Sequence, residues 1–265
     1  MLVVSFGTSH AETREKTIGE IEREIAAAYP DYEVRRAFTS GMILKVLEQR
    51  DGIRIDNVAE AMSRLVGDGF REVLVQPTHV IPGDEYDDMV SDVLMFEDRF
   101  DEIKIGTPLL YSTEDYRKVA GAIMEQLPDL SDREALVLMG HGTGHPINAA
   151  YAALDYHFKD MGYPNVFVGT VEGYPEVHTV RKLVEAYGPE KIILMPLMVV
   201  AGDHAVNDMA GEEPDSWKSV FEEAGFQVEC ILQGLGEFQQ IRDIYLEHIA
   251  SASEVPYGTI CSEGQ

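Results

Sequence analysis

Cysteine is nearly absent from this chain of 265 residues, which contains only Cys230 and Cys261. The two cysteines lie far apart in the sequence and form no CxxC pair. This spacing argues against a disulfide framework, a zinc ribbon and an iron–sulfur cluster. Any catalysis must therefore rely on other side chains.

Long apolar runs are also absent, and none approaches the roughly 20 residues of a membrane-spanning helix. Met1 leads directly into an apolar segment, without the basic region and cleavage site of a secretory signal. Hydrophobic residues still make up 45% of the chain, which is enough to form a core. We expect a globular, cytoplasmic protein that does not bind membranes.

Basic residues are few, because 21 lysines and arginines stand against 47 acidic residues and give a formal net charge of −26. This balance disfavours nucleic acid as a partner. A polyanionic substrate would have to be held by local arginines, lysines and backbone N–H groups, against the overall field. The Walker motif GxxxxGKS/T is missing as well, so no nucleotide is expected.

Strand and helix patterns alternate along the whole chain, which predicts an α/β fold with parallel sheets. The predicted strands are Leu2–Phe6, Glu33–Thr39, Glu72–Gln76, Lys104–Pro108, Ala135–Met139, Val166–Val171, Lys191–Met195 and Gln227–Leu232. A polar, proline-bearing stretch at 127–134 separates two sets of four strands. We predict two similar lobes, 1–127 and 134–250, each a parallel sheet of about four strands flanked by helices. The sheets face one another, and a loose tail follows at 251–265.

An internal repeat supports this division into two lobes. LVVSFGTSH at Leu2–His10 matches LVLMGHGTGH at Leu136–His145, with one inserted residue. QPTHVIPGDEYDD at Gln76–Asp88 matches MPLMVVAGDHAVND at Met195–Asp208. A period this long indicates a duplicated domain rather than a solenoid.

The two halves differ where strands end, because the second half carries metal-competent side chains there. His141 aligns with Phe6, Glu172 with Ser40, and His204 with Glu85. Since the carboxyl ends of parallel strands meet at one sheet edge, the three second-half residues should converge. Two imidazoles and a carboxylate suit a divalent transition metal such as cobalt, nickel, iron or zinc. The first half keeps only Glu85, so we predict one metal site per chain.

A structural interpretation of these motifs stands beside the metal hypothesis. A lone loop histidine is more often a surface residue than a ligand, and HGTGH is not the metalloprotease motif HExxH. GDE and GDH also mark helix starts, with Asp84 and Asp203 as the predicted N-caps. N-caps do not account for the histidines. The roles of His10, His79 and His145 stay open, with a structural role for His145 as plausible as any other.

Five segments together resemble the anaerobic sirohydrochlorin cobaltochelatases, a branch of the ATP-independent class II chelatases. These segments are SFGTSHAETR, QPTHVIPGDEYDD, MGHGTGH, TVEGYP and MPLMVVAGDHAVNDM, and the likeness covers nearly the whole chain. The resemblance implies a bilobal fold, a homo-oligomer and insertion of Co²⁺ into sirohydrochlorin on the route to cobalamin. The family's metal-binding histidine, glutamate and histidine fall on His141, Glu172 and His204, and its first-lobe cleft glutamate falls on Glu85.

The residue chemistry agrees with this activity, because metal insertion needs a partly desolvated cation and removal of two pyrrole protons. His141 can hold the metal or, when neutral, accept a proton. Glu172 and His204 would complete a site loose enough to release the ion to the ring nitrogens. Glu85, from the other lobe, would steer the ion or take a proton.

The turn after the first strand is the candidate site for the substrate's carboxylates. Its predicted contacts are Ser5, Gly7, Thr8, Ser9 and Arg14, acting through N–H groups, hydroxyls and charge.

Three alternative functions remain: a bilobal binding protein of the periplasmic type, a metallochaperone without turnover, and a chelatase for Ni²⁺ or Fe²⁺. The missing signal segment speaks against the first.

Overall fold

The computed structural model describes residues 1–127 and 130–253, so most of the predicted tail, including Cys261, lies outside the described residues. The strands in these ranges are β1 Leu2–Ser5, β2 Arg35–Phe38, β3 Glu72–Pro77, β4 Glu102–Ile105, β5 Glu134–Gly140, β6 Val166–Thr170, β7 Lys191–Pro196 and β8 Gln227–Cys230. They form two parallel sheets with the orders β2-β1-β3-β4 and β6-β5-β7-β8. The two orders are equivalent, so the predicted α/β class, the eight strands and the duplicated plan are confirmed.

Helices connect successive strands, as parallel sheets require. They are α1 Ala11–Arg14, α2 Glu20–Ala28, α3 Gly41–Val46, α4 Val58–Gly67, α5 Asp84–Leu94, α6 Thr113–Glu125, α7 Ala149–Asp160, α8 Val177–Tyr187, α9 Trp217–Glu223 and α10 Gln239–Ala250. Wider π-helical turns occupy Glu15–Gly19, Leu47–Asp51 and Ala205–Met209. Within the described ranges, we find no helix with the length and apolar character to cross a membrane.

The fourth strand is placed differently from its prediction, which ran from Lys104 to Pro108. The N–H of Gly106 still donates to the Val75 carbonyl at 2.8 Å, but the ladder goes no further. The Gln76 side-chain amide donates to the Thr107 carbonyl at 3.0 Å. Pro108 has no N–H with which to continue the strand. An apolar pattern alone does not reveal this competing side-chain bond.

The outer face of each sheet packs on its own helices and forms a separate core. On the first sheet, Leu2, Val4 and Val75 contact apolar residues of α4 and α5, such as Met62 and Val90. On the second sheet, a corresponding core contains buried residues of β5, β6, β7, α8 and α9. These strand residues alternate with those facing the opposite side, so β1, β3, β5, β6 and β7 are buried on both faces. The edge strands β4 and β8 are only partly covered.

The inner faces of the two sheets share one continuous core that joins the halves. It includes Val3 of β1 and Leu136 of β5, together with buried residues of α2, α6, α7 and α10. In this core α10 packs on β3 and on α6, α6 packs on α7, and α7 packs on β6. Helices therefore join the two sheets, and α10, the last helix of the second half, packs on α2 and β3 of the first. The division into lobes at 1–127 and 134–250 stays a prediction.

Buried polar bonds fix α10 in this position. The Tyr245 hydroxyl donates to the Thr78 carbonyl at 2.8 Å. The two ring nitrogens of His248 face the Thr107 carbonyl at 3.1 Å and the Asp115 carboxylate at 3.0 Å. The His248 ring therefore bridges a backbone carbonyl and a carboxylate of the first half. Burial opposes ionisation of Asp115, but hydrogen bonds from His248 and the Ser112 N–H hold its pKa below the usual value.

Candidate metal centre

Three side chains that follow β5, β6 and β7 converge at the carboxyl edge of the second sheet. His141, Glu172 and His204 each offer a ligand atom, and these atoms lie within 4.8 Å of one another. The rings of His141 and His204 are 4.7 Å apart and nearly perpendicular, at 88°. Nδ1 of His141 lies 4.0 Å from Oε2 of Glu172. The structure thus brings together the three residues that the repeat singled out.

Close packing of two loops sets the distance between His141 and Glu172. Gly142 has a φ of +85°, which non-glycine residues rarely adopt. A Cβ at Gly142 would lie 2.7 Å from the backbone nitrogen of Gly173 and 2.9 Å from the Cβ of Thr170. The Glu172 N–H also donates to the His141 carbonyl at 2.8 Å. Glycine at position 142 therefore permits the contact that holds the two ligand loops together.

Two residues of the following helical region brace these loops, and neither was predicted from the sequence. Asn148 accepts from the Thr143 N–H at 3.1 Å and donates to the Tyr174 carbonyl at 2.6 Å, so it bridges the loops. The Tyr151 hydroxyl accepts from the Gly142 N–H at 3.4 Å. Burial raises the pKa of Tyr151 to about 12, so it stays a neutral phenol. No spacing motif marks either residue, because their partners are backbone atoms brought near by folding.

Hydrogen bonds orient both imidazoles in the same way. Nδ1 of His141 donates to the Gly142 carbonyl at 2.9 Å, and Nδ1 of His204 donates to Oδ2 of Asp208 at 2.6 Å. In each neutral ring the lone pair is then on Nε2, the atom left for an ion. The three ligand side chains are 39%, 59% and 34% exposed, for His141, Glu172 and His204 respectively. The group is therefore open to solvent on one side.

The counterparts in the first half offer no similar group. The ring of Phe6 lies 6.3 Å from the ring of His141, so it packs beside the second-half ligands. Ser40 caps α3, accepting from the Ile43 N–H. Within 1–127 and 130–253, the cluster of His141, Glu172 and His204 is the only group of three or more His, Cys, Asp or Glu side chains with metal-ligand spacing.

Glu85 lies near the loop that carries His141. It is the second residue of α5 and is exposed, and its carboxylate has no hydrogen-bond or ion-pair partner among the described residues. Its neighbour Asp84 accepts a hydrogen bond from the Thr143 hydroxyl at 2.9 Å. Nε2 of His145 lies 3.6 Å from Oδ2 of Asp87, on the same helix. These contacts between the two halves place the start of α5, with Glu85, beside the loop that carries His141.

The predicted N-caps at Asp84 and Asp203 are wrong. Gly83 is the N-cap of α5, and Asp84 is the first helical residue, bound to Thr143 instead. Asp203 lies inside its helical segment and accepts from the Asn207 side chain at 3.0 Å. In both places tertiary contacts or an i,i+4 contact use the carboxylate that a cap would require.

The turn after β1 is held from within the protein. Ser5 is 2% exposed, and its hydroxyl accepts from Thr78 at 2.8 Å. Arg14 is also buried and donates to the Thr8 carbonyl at 3.1 Å. Gly7 and Ser9 are half-buried. Thr8 is also buried, at 4% exposure, so only Gly7 and Ser9 of the predicted carboxylate contacts are partly open to solvent.

The three histidines left open by the sequence have distinct surroundings. His145 caps a short 3₁₀ turn, with Nδ1 accepting from the Ile147 N–H at 3.2 Å. His10 lies 4.0 Å from Asp203 of the other half. The ring nitrogens of His79 are buried without a hydrogen-bond partner among the described residues, and burial lowers its pKa to about 4. His79 is therefore neutral and stands apart from the metal cluster.

Known proteins resemble this chain over nearly its whole length. A model of the family described as cobalt chelatase (CbiK) matches residues 1–254. The chain is 45% identical over 252 residues to the sirohydrochlorin cobaltochelatase of Salmonella typhimurium, covering 95% of each protein. It is 34% identical over 255 residues to the sirohydrochlorin cobaltochelatase CbiKC of Nitratidesulfovibrio vulgaris, covering 95% of this chain and 89% of the relative. SirB of Bacillus subtilis, solved with Fe³⁺, shares the fold, with a TM-score of 0.62, 13% identity, and coverage of 94% of this chain and 93% of SirB.

Proposed function

This chain belongs to the cobalt chelatase family, and we propose that it inserts Co²⁺ into sirohydrochlorin without nucleotide hydrolysis. The observation that carries the proposal is the convergence of His141, Glu172 and His204 at one sheet edge. Such a site is more than a fold-level likeness, because it supplies the donor atoms that the reaction needs. The reaction exchanges two pyrrole N–H protons for one divalent cation.

The metal cluster suits an ion that is held briefly and then given away. Three protein ligands leave coordination positions open for solvent or for ring nitrogens. Neutral imidazole and carboxylate bind Co²⁺, Ni²⁺, Fe²⁺ and Zn²⁺, so we propose Co²⁺ as the physiological ion and expect the others to compete. Because all three ligands are partly exposed, the ion can reach the ring without passing through the core.

The pyrrole protons must be accepted by groups that lie near the metal cluster and have an acceptor atom with no other hydrogen-bond partner. We assign this role to Glu85, whose exposed carboxylate has no partner among the described residues, and to His141 once the ion has left it. The two residues come from opposite halves. A ring bound between the halves would therefore meet the ion on one face and a proton acceptor on the other.

Exposed apolar side chains at the same edges suit the faces of a tetrapyrrole. Phe6, Met42 and Tyr174 are 42%, 76% and 67% exposed. Met42 follows Ser40 by two residues, and Tyr174 follows Glu172 by two, so they occupy equivalent places in the two halves. Each would cover apolar ring surface on binding, which is favourable at roughly 25 cal/mol per Å².

The substrate's carboxylates must be held against a strongly acidic protein. We propose that the turn from Gly7 to Ser9 contacts some of them through backbone N–H groups. Ser5 and Arg14 support this turn from below, and the charge of Arg14 favours an anion above it. We also propose a cytoplasmic homo-oligomer that binds neither nucleotide nor nucleic acid.

A turnover assay tests this function against a metallochaperone role. Purified protein at catalytic concentration would be mixed with excess Co²⁺ and sirohydrochlorin, and the visible spectrum of the ring followed. Many turnovers per chain, above the rate without protein, would support a chelatase. Binding of Co²⁺ or of the ring without an accelerated spectral change would refute it and favour the chaperone. Parallel reactions with Ni²⁺ and Fe²⁺ would rank the metals.

A further inference from the structure

One ligand of the metal cluster has a charged hydrogen-bond partner, and the other histidine has a neutral one. Nδ1 of His204 donates to Oδ2 of Asp208 at 2.6 Å, whereas Nδ1 of His141 donates to the Gly142 carbonyl at 2.9 Å. Hydrogen bonds to an ionised acceptor are shorter and stronger than those to a neutral carbonyl. The two imidazoles are therefore oriented alike but held with unequal strength.

The chain conformation around Asp208 favours this contact. His204 directly precedes the segment Ala205–Met209, which is wound as a π-helical turn. Asp208 is four residues after His204, and within this wide turn its carboxylate reaches Nδ1 of the imidazole at 2.6 Å. The adjacent carboxylate, Asp203, is bound to Asn207. Among the described residues, Asp208 is thus the carboxylate that bonds to His204.

The repeat gives independent support for a specific pairing. With Gly83 aligned to Gly202, His204 falls on Glu85 and Asp208 falls on Met89. Met89 is 1% exposed and belongs to the apolar core under α5. The half that lacks a histidine at this place also lacks the carboxylate. Histidine and carboxylate therefore occur as a pair, on the half that carries the metal cluster.

We propose that Asp208 is a positioning residue that fixes His204 with Nε2 towards the ion and makes it the stronger of the two histidine ligands. His141, held only by a backbone carbonyl, is then the ligand that yields first when the ion passes to the ring. This inference rests on the proposed function for its second step only. Its first step concerns the affinity for Co²⁺ and holds for any use of the site.

Binding of Co²⁺ to Asp208→Ala and Asp208→Asn tests the first step, measured by competition with a chelator and by the d–d absorption of the bound ion. Loss of such a partner typically weakens metal binding about 10- to 100-fold, which is the loss expected for Asp208→Ala. Asp208→Asn keeps an oxygen that accepts from Nδ1, so it should recover part of the affinity. Asp203→Asn is the control, because it removes a nearby charge that does not contact His204.

A double-mutant cycle separates orientation from general damage. In a His204→Ala background, Asp208→Ala should cause no further loss of Co²⁺ affinity, because the residue has nothing left to orient. Full additivity of the two losses would overturn the proposal, as would unchanged affinity in Asp208→Ala or equal losses in Asp208→Ala and Asp208→Asn. Asp208 is 46% exposed, so these variants should keep the wild-type thermal unfolding temperature.

Single-turnover transfer of preloaded Co²⁺ to sirohydrochlorin tests the second step. Asp208→Ala should raise the KM for Co²⁺ and leave the KM for sirohydrochlorin unchanged, while transfer from the loaded site is as fast as in the wild type or faster. Slower transfer from the loaded variant would refute the assigned order of ligand release. If the wild type binds Co²⁺ but never transfers it, the proposed function fails while the affinity result still stands.

Discussion

Gly142→Ala should disrupt the metal cluster although it adds only one methyl group. The new Cβ would lie 2.7 Å from the Gly173 nitrogen and 2.9 Å from the Thr170 Cβ, closer than real Cβ atoms approach. Gly142 also has a φ of +85°. An alanine in the left-handed region costs about 1–2 kcal/mol. Overpacking of a tight contact adds about 1–3 kcal/mol.

The protein can respond to this strain of about 2–5 kcal/mol in two ways, and both can be measured. If the loops keep their places, the melting temperature of the metal-free protein should fall by about 2–4 °C for each kcal/mol. If the loops separate instead, His141 moves away from Glu172 and Co²⁺ affinity falls, by about tenfold for each 1.4 kcal/mol. Calorimetry of the metal-free protein would measure the loss of stability, and competition of a chelator for Co²⁺ would measure the loss of affinity. The two losses together should equal the strain.

Gly144→Ala is the matched control, because it lies in the same loop. Its φ is outside the left-handed region, and a Cβ there would have no neighbour within 4 Å. We expect a change within about 0.5 kcal/mol in stability and wild-type Co²⁺ affinity. If Gly142→Ala matched Gly144→Ala in both measurements, the contact with Gly173 would not be what holds the ligand loops together.

Three further outcomes follow from the site and the core. His141→Ala should abolish insertion but shift the melting temperature little, because the residue is a part-exposed loop side chain; near-native turnover would contradict its role. Glu85→Gln should slow insertion more than it weakens Co²⁺ binding, and an unchanged rate would remove it from proton transfer. The pKa of Asp115 is lower folded than unfolded, so its contribution to stability is full above about pH 4 and is lost as pH falls through the folded pKa. Urea unfolding between pH 3 and 6 should therefore show a weaker acid dependence in Asp115→Asn, and an identical dependence would exclude the His248 pair as its source.

The strands and the convergence of the three ligands were predictable because they depend on local patterns and one topological rule. The strands β5, β6 and β7 read as short apolar runs, and the carboxyl ends of neighbouring parallel strands meet at one edge. His141, Glu172 and His204 each follow such a run, on the adjacent strands β5, β6 and β7. Their proximity in the fold was therefore predictable although they lie far apart in the sequence.

The residues that brace the site were not predictable in the same way. Asn148 and Tyr151 bond to backbone atoms of the ligand loops, so no partner side chain marks them in the sequence. Asp208 had a signal in its i,i+4 spacing from His204, but many such pairs occur on helices without a ligand. The packing of α10 on the first half depends on distant contacts such as the bond from Tyr245 to Thr78.

The duplicated halves contact each other at more than one place, yet only one half of the described chain carries a cluster with metal-ligand spacing. Thr143 bonds to Asp84. In the equivalent loops of the opposite halves, a Cβ built at Gly202 would lie 3.5 Å from Oγ1 of Thr8, and His10 lies 4.0 Å from Asp203. Holding two lobes around a flat ring requires contacts on both sides, so the repeat keeps the loops that make them. Delivery of the ion to the ring requires asymmetry instead, because two equal metal sites would compete for one ion across the ring. If the proposed roles hold, a site on one face, with Phe6 and the exposed carboxylate of Glu85 contributed by the other half, would let the ion move in one direction while protons leave in the other.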